Sequence, residues 1–130
     1  MAATFSFNVK GQQGSIPQLA LGTAMLFDDT CTGAVREAIR QGYRHFDTAL
    51  LYNNQEAVGR GIREAIAAGE VTRQELFVTT KCAFYPAGAD APDVMVHIKR
   101  HPENEKGLEV TRRAIDLCLD LLGCAPSLAR

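Results

Sequence analysis

"GYRHFDTALLYNNQEAVGRGIREAI", residues 42–66, decides the fold. Its beginning, "YRHFD", is rich in aromatic and apolar residues and reads as a strand that ends on Asp47. Its second half changes period. Val58, Gly61, Ile62, Ala65 and Ile66 recur at i, i+3, i+4 spacing, and Gly69 stands where such a helix would stop. Asn53, with Glu56 three residues on, resembles a capping box. A strand running directly into an amphipathic helix is one βα unit. It leaves Asp47 at the strand exit and Tyr52 on the connecting loop. Each alone reads as an ordinary turn residue, so the neighbouring segments have to decide whether they act together.

Toward the C-terminus, "LFVTTK" (76–81) is a further strand, ending on Lys81. Toward the N-terminus, "FSFNV" (5–9) alternates apolar and polar residues and "KGQQG" follows as a turn. "SIPQLALGT" (15–23) is then extended, with Pro17 near its beginning and Gly22 at its end, so a hairpin leading into strand "QLAL" is expected. Asp29, Thr30 and Thr32 are cap candidates for the next helix, whose inner face is Val35, Ala38 and Ile39 and whose stop is Gly42. The order hairpin, β, α, β, α, β predicts parallel strands joined by right-handed crossovers. Residues 82–104 hold no period and read as a loop insertion. A helix returns from about 105 to 122, with Val110, Ala114, Leu117, Cys118 and Leu121 facing inward and Gly123 as its stop. The last seven residues, "CAPSLAR", make a poor strand, so the final crossover helix delivers none.

Bulk properties bound the rest. The 130 residues suffice for one domain with a core, and 46% hydrophobic with 22% charged residues is an ordinary globular balance. Fourteen basic and 15 acidic residues give a formal charge of −1, which offers no attraction to nucleic acid or an anionic membrane. Cys31, Cys82, Cys118 and Cys124 lack CxxC spacing. Without an apparent export signal they read as reduced thiols in a cytoplasmic protein.

Three segments in order, "IPQLALGTAM" (16–25), the stretch 42–66 and "RQELFVTTK" (73–81), resemble the N-terminal third of an aldo-keto reductase. The resemblance covers residues 5–81 and, more loosely, the helix at 105–123. It is absent over 82–104 and the last seven residues. It implies an α/β fold, the N-terminal hairpin and first three βα units of a (β/α)8 TIM barrel, incomplete and forming one partial domain over 1–130. It also implies an oxidoreductase that transfers a hydride from NADPH to an aldehyde or ketone, a small-molecule carbonyl substrate. Motif by motif, the family's catalytic Asp, Tyr and Lys fall on Asp47, Tyr52 and Lys81. The positions beside the nicotinamide fall on Gly22, Thr23, Ala24 and Asp47. The family's catalytic histidine, and the basic motif for the cofactor's 2′-phosphate, belong to later strands and have no counterpart here.

The residue types suit that chemistry. Reducing a carbonyl needs a hydride on carbon, which no side chain carries, and a proton on oxygen. A phenol with an ordinary pKa near 10 is a reluctant acid at neutrality. An ammonium beside it favours phenolate, and a carboxylate holds the ammonium charged and in place. Asp47 and Lys81 end successive parallel strands with Tyr52 on the loop between, which puts all three on the C-terminal face of the sheet.

Other residues read more plainly. His45 shares a strand face with Asp47, one layer deeper, and is expected inside the barrel. "GRGIRE" (59–64) imitates part of a dinucleotide fingerprint but lies within a helix, where small residues let the helix approach the sheet. His97 and His101 are four apart with no evident third metal ligand, so they read as solvated histidines, with a stand-in for the missing catalytic histidine as the weaker alternative. Three strands of eight leave open parallel edges and exposed apolar surface, so weak NADPH binding, little turnover and self-association through those edges are expected. The alternative reading is a non-catalytic reductase remnant that pairs through its open edge with another polypeptide. A small doubly wound binding domain is a third reading, disfavoured by the N-terminal hairpin.

Overall fold

The computed structural model describes residues 3–9, 12–82 and 107–123. Strands β1 (Thr4–Val9) and β2 (Gln12–Pro17) form an antiparallel hairpin with Thr4 opposite Pro17 and Val9 opposite Gln12. The second extended stretch of the sequence splits here. β2 ends at Pro17, one further bond from Gln18 N–H to Ala3 O at 2.9 Å extends its pairing, and the next strand, β3 (Leu21–Gly22), begins only after a gap.

β3, β4 (His45–Asp47) and β5 (Phe77–Thr79) make a parallel sheet in that order. Leu21 lies opposite Phe46 and Gly22 opposite Asp47, while His45, Phe46 and Asp47 face Phe77, Val78 and Thr79. The regular strands are shorter than "YRHFD" and "LFVTTK", yet backbone bonds carry the pairing beyond them. Phe77 N–H donates to Arg44 O at 2.8 Å, Thr48 N–H to Thr79 O at 2.8 Å and Leu50 N–H to Lys81 O at 3.0 Å. The sheet is open: among the described residues β3 and β5 each have one strand partner.

Helices α1 (Asp28–Arg40) and α2 (Gln55–Ala67) follow β3 and β4, and the third helix, α3 (Gly107–Leu122), packs on α2. Val35, Ala38 and Ile39 of α1 and Val58, Ile62 and Ala65 of α2 close over Phe46 of β4 in one core, with Leu122 of α3 at its margin. Phe46 is fully buried, a contribution of about 1.5–3 kcal/mol from that side chain alone. A smaller cluster joins Leu50 to Ala114 and Cys118 of α3, the inward residues the sequence indicated.

Helix ends differ from expectation in instructive ways. None of Asp29, Thr30 or Thr32 caps α1: Phe27 holds that position without a side-chain bond. Asp29 instead pairs with Arg60 at 2.8 Å, and the Thr32 hydroxyl sits between the Asp28 and Ala57 carbonyls, linking α1 to α2. The cap of α2 is Asn54, one residue after the expected Asn53, and Asn53 takes a left-handed conformation. Gly42, Gly69 and Gly123 do follow their helices at φ of +91°, +72° and +65°, the conformation that favours glycine after a helix end. Gly59 and Gly61 admit neighbouring helices rather than the sheet. A Cβ on Gly59 would lie 2.5 Å from Leu122 O, and one on Gly61 would lie 2.9 Å from Thr32 O.

Candidate functional site

Asp47 closes β4, Lys81 lies two residues beyond β5, and Tyr52 ends a 3-10 turn, Leu50–Tyr52, in the connection between β4 and α2. All three leave the C-terminal side of the parallel sheet. They come together as the sequence indicated. Lys81 Nζ lies 2.5 Å from Asp47 Oδ1, donates to Thr48 O at 3.1 Å, and stands 5.2 Å from the centroid of the Tyr52 ring.

The sequence builds this corner locally. The Leu50 N–H to Lys81 O bond ties the turn to the extension of β5. Tyr52 N–H donates to Ala49 O at 3.0 Å and Asn53 N–H to Leu50 O at 3.2 Å, which winds the turn and aims Tyr52 back at the sheet end. Asn53 then reverses the chain with φ of +51°, a conformation asparagine tolerates better than most residues.

Charge is concentrated but not deeply buried. The Lys81 side chain is 50% exposed and the Asp47 side chain 33%, so solvent screens the pair. Partial burial alone would lower the Lys81 pKa. The hydrogen bond and charge of Asp47, followed by the Tyr52 phenol, outweigh it and raise the group above its ordinary value of 10.5. Lys81 is therefore a fixed ammonium at neutral pH, held beside a phenol.

Asn54 is the supporting residue that the sequence reading missed. It is buried, and its Nδ2 donates to Thr23 O at 2.7 Å and Leu26 O at 2.8 Å, while its Oδ1 accepts from Thr48 Oγ1 at 3.0 Å. Thr23 in turn donates from both N–H and Oγ1 to Asp47 O, each at 3.0 Å. The loop after β3, the exit of β4 and the start of α2 are thus fastened by one carboxamide. Asn54 follows the expected cap Asn53 in "YNNQE", and nothing local in the sequence separates a capping amide from one that is turned inward.

Of the three cofactor candidates at the end of β3, Gly22 and Ala24 are exposed, whereas Thr23 is fully buried and spends its side chain on Asp47 O. His45 is half-buried, as expected of an interior position. Its Nδ1 contacts Pro17 O at 3.0 Å and its Nε2 contacts Thr79 Oγ1 at 2.9 Å, bridging hairpin and sheet. His97, His101 and nearly all of the 82–104 insertion lie outside the described residues, as does the side chain of Val110. A cavity of about 510 Å³ opens at the opposite end, between the hairpin and the N-terminal ends of β4 and β5. Parallel α/β sheets keep their chemistry at the other end, where the Asp47–Lys81 pair stands.

The sequence pattern that defines the aldo/keto reductase family matches residues 18–124. The chain belongs to the aldo/keto reductase family. Among curated relatives, the aldo-keto reductase AKR2E4 of Bombyx mori is 56% identical over 73 residues, 52% of this chain and 24% of the relative. The NAD(P)H-dependent 6′-deoxychalcone synthase of Glycine max is 44% identical over 82 residues, 60% of this chain and 25% of the relative. The crystal structure of the Bombyx mori reductase in complex with NADP superimposes with a TM-score of 0.63 at 37% identity, covering 95% of this chain and 35% of that one. The chain therefore spans about a quarter of the length of these curated relatives. Its hairpin, βα units and open sheet form an incomplete aldo-keto reductase barrel. No helix among the described residues is long and apolar enough to cross a membrane.

Proposed function

We propose that this chain carries the proton-donating part of a nicotinamide-dependent carbonyl reductase, with Asp47, Tyr52 and Lys81 as its catalytic residues. The observation that carries the reading is the Lys81 ammonium held against Asp47 with the Tyr52 ring beside it. Tyr52 gives its proton to the carbonyl oxygen as negative charge develops there. Lys81, a fixed positive charge beside the ring, stabilises the phenolate left behind. Asp47 keeps the ammonium charged and fixes its position.

The donor set fits a hydride-carrying cofactor, because a phenol and an ammonium deliver protons only. NADPH, when bound, supplies the hydride. Gly22 and Ala24 form an exposed shelf beside Asp47 that would face its nicotinamide end, and Thr23 holds that shelf by its bonds to Asp47 O. The substrate is a small aldehyde or ketone.

Because the sheet is open, the 130-residue chain by itself is expected to bind NADPH weakly and to reduce aldehydes far more slowly than a complete barrel. The test is a chimera in which residues 1–81 replace the matching part of the Bombyx mori relative, with NADPH oxidation followed in the presence of an aldehyde. The chimera should turn over, and its Tyr52→Phe variant should lose nearly all activity. A Tyr52→Phe chimera as active as its parent would overturn the assignment.

The open β3 and β5 edges favour a second reading, a non-catalytic remnant that pairs with another polypeptide. Titrating the chain with NADPH while following nicotinamide fluorescence separates the two. A saturable signal supports the reductase, and its absence supports the remnant.

A further inference from the structure

The exit of β5 carries a second reactive group beside Lys81. Cys82 is exposed, and Cys118 is buried on the inner face of α3. Two contacts bring them together. Leu50 N–H bonds to the carbonyl of Lys81, the residue preceding Cys82, and the Leu50 side chain packs against Cys118. Both cysteines are free thiols. Partial burial, then the neighbouring Cys118 thiol, raise the pKa of Cys82.

We propose that Cys82 and Cys118 form a reversible disulfide that tethers α3 to the exit of β5, with a small disulfide such as oxidised glutathione as the oxidant. Deprotonated Cys82 attacks one sulfur of the oxidant and releases one thiol, leaving a mixed disulfide on Cys82. Cys118, giving up its proton, attacks the Cys82 sulfur and expels the second thiol. Two protons and two electrons pass from the chain to the oxidant, which leaves as two thiols. The raised Cys82 pKa keeps the thiolate scarce at neutrality, so this pair exchanges slowly and is unlike a fast peroxide-reacting thiol. Lys81 adjoins Cys82 in the chain, so the link restrains the strand exit that carries the ammonium.

The test treats the full 130-residue chain with oxidised glutathione, blocks the remaining thiols, and maps tryptic peptides without reduction. The expected product is an intramolecular link between peptides 82–99 and 114–130, with two of the four thiols lost and both restored by a reductant. Peptide 114–130 also contains Cys124, so tandem fragmentation of the linked wild-type peptides must place the bond on Cys118. The link should persist in Cys124→Ser and vanish in Cys118→Ser. A bond to Cys124 or Cys31, a link surviving in Cys118→Ser, or only intermolecular disulfides would each overturn the proposal. The wild-type fragmentation decides the matter even if a serine variant fails to fold.

Discussion

Replacing Gly61 by alanine sets two effects against each other. Alanine is the better helix former by about 1 kcal/mol, so on local grounds alone α2 should gain stability. The structure says otherwise. The new Cβ would sit 2.9 Å from Thr32 O and 3.0 Å from both Cβ and Cγ1 of Val35. One neighbour is backbone and the other a β-branched side chain with no exposed surface, so neither can swing aside and α1 must move. Forcing extra volume into such a contact costs about 1–3 kcal/mol, which outweighs the propensity gain or at least cancels it. Gly33 supplies the control. It lies in α1, is exposed, and a Cβ there meets nothing within 4 Å, so Gly33→Ala should stabilise by up to about 1 kcal/mol. The two chemically identical changes should therefore differ by about 2 kcal/mol, roughly 8 °C in melting midpoint for a chain of this size. Thermal unfolding followed by circular dichroism measures this directly. If both variants stabilise the chain equally, the close α1–α2 approach is wrong.

Three further outcomes follow from the same reasoning. Asn54→Ala removes three hydrogen bonds, two of them buried, and leaves Thr23 O and Leu26 O without that donor, so urea unfolding should show a loss of about 2 kcal/mol. Phe46→Ala empties the centre of the core and should cost about 3–5 kcal/mol in the same measurement, enough to unfold a marginal chain. Lys81 gives a pH signature. Its folded pKa is raised, so its contribution to stability is complete below the ordinary 10.5 and is lost as pH climbs through the folded value. The exposed pair is worth under about 1 kcal/mol, and the loss should disappear in Asp47→Asn. Stability measured against alkaline pH in the two chains checks it, and equal alkaline losses in both would count against the pairing.

The sequence reading succeeded where the signal was periodic and failed where it depended on what a polar side chain meets in three dimensions. The α2 stripe of Val58, Ile62 and Ala65 needs only a 3.6-residue repeat, and it came through with its residues intact. That Asp47, Tyr52 and Lys81 share one end was legible because the exits of parallel strands lie together, while the roles proposed for them came from the family resemblance. Caps were another matter. A capping box was expected at Asn53 and Glu56, yet the reciprocal pair forms at Thr72 and Glu75, where Thr72 N–H and Oγ1 donate to Glu75 Oε2 at 2.8 and 2.7 Å. Asn54 had a stronger demand on its amide from two carbonyls of the β3–α1 loop. The glycines of α2 were recognised as places of close approach, but which element approaches is set by packing and not by spacing.

The two flanks of the sheet are unlike. β5 offers one outer rim and β3 the other, and all strands run the same way. If copies of this chain met rim to rim with strand direction kept, β5 of one would meet β3 of the next. That contact is head-to-tail, so it propagates unless the accumulated rotation closes a ring. Rings built from the three parallel strands of the described residues hold multiples of three, and a reductase barrel holds eight, which three does not divide. Stacking identical pieces cannot recreate the parental cylinder. Completing it takes staves of a different sequence.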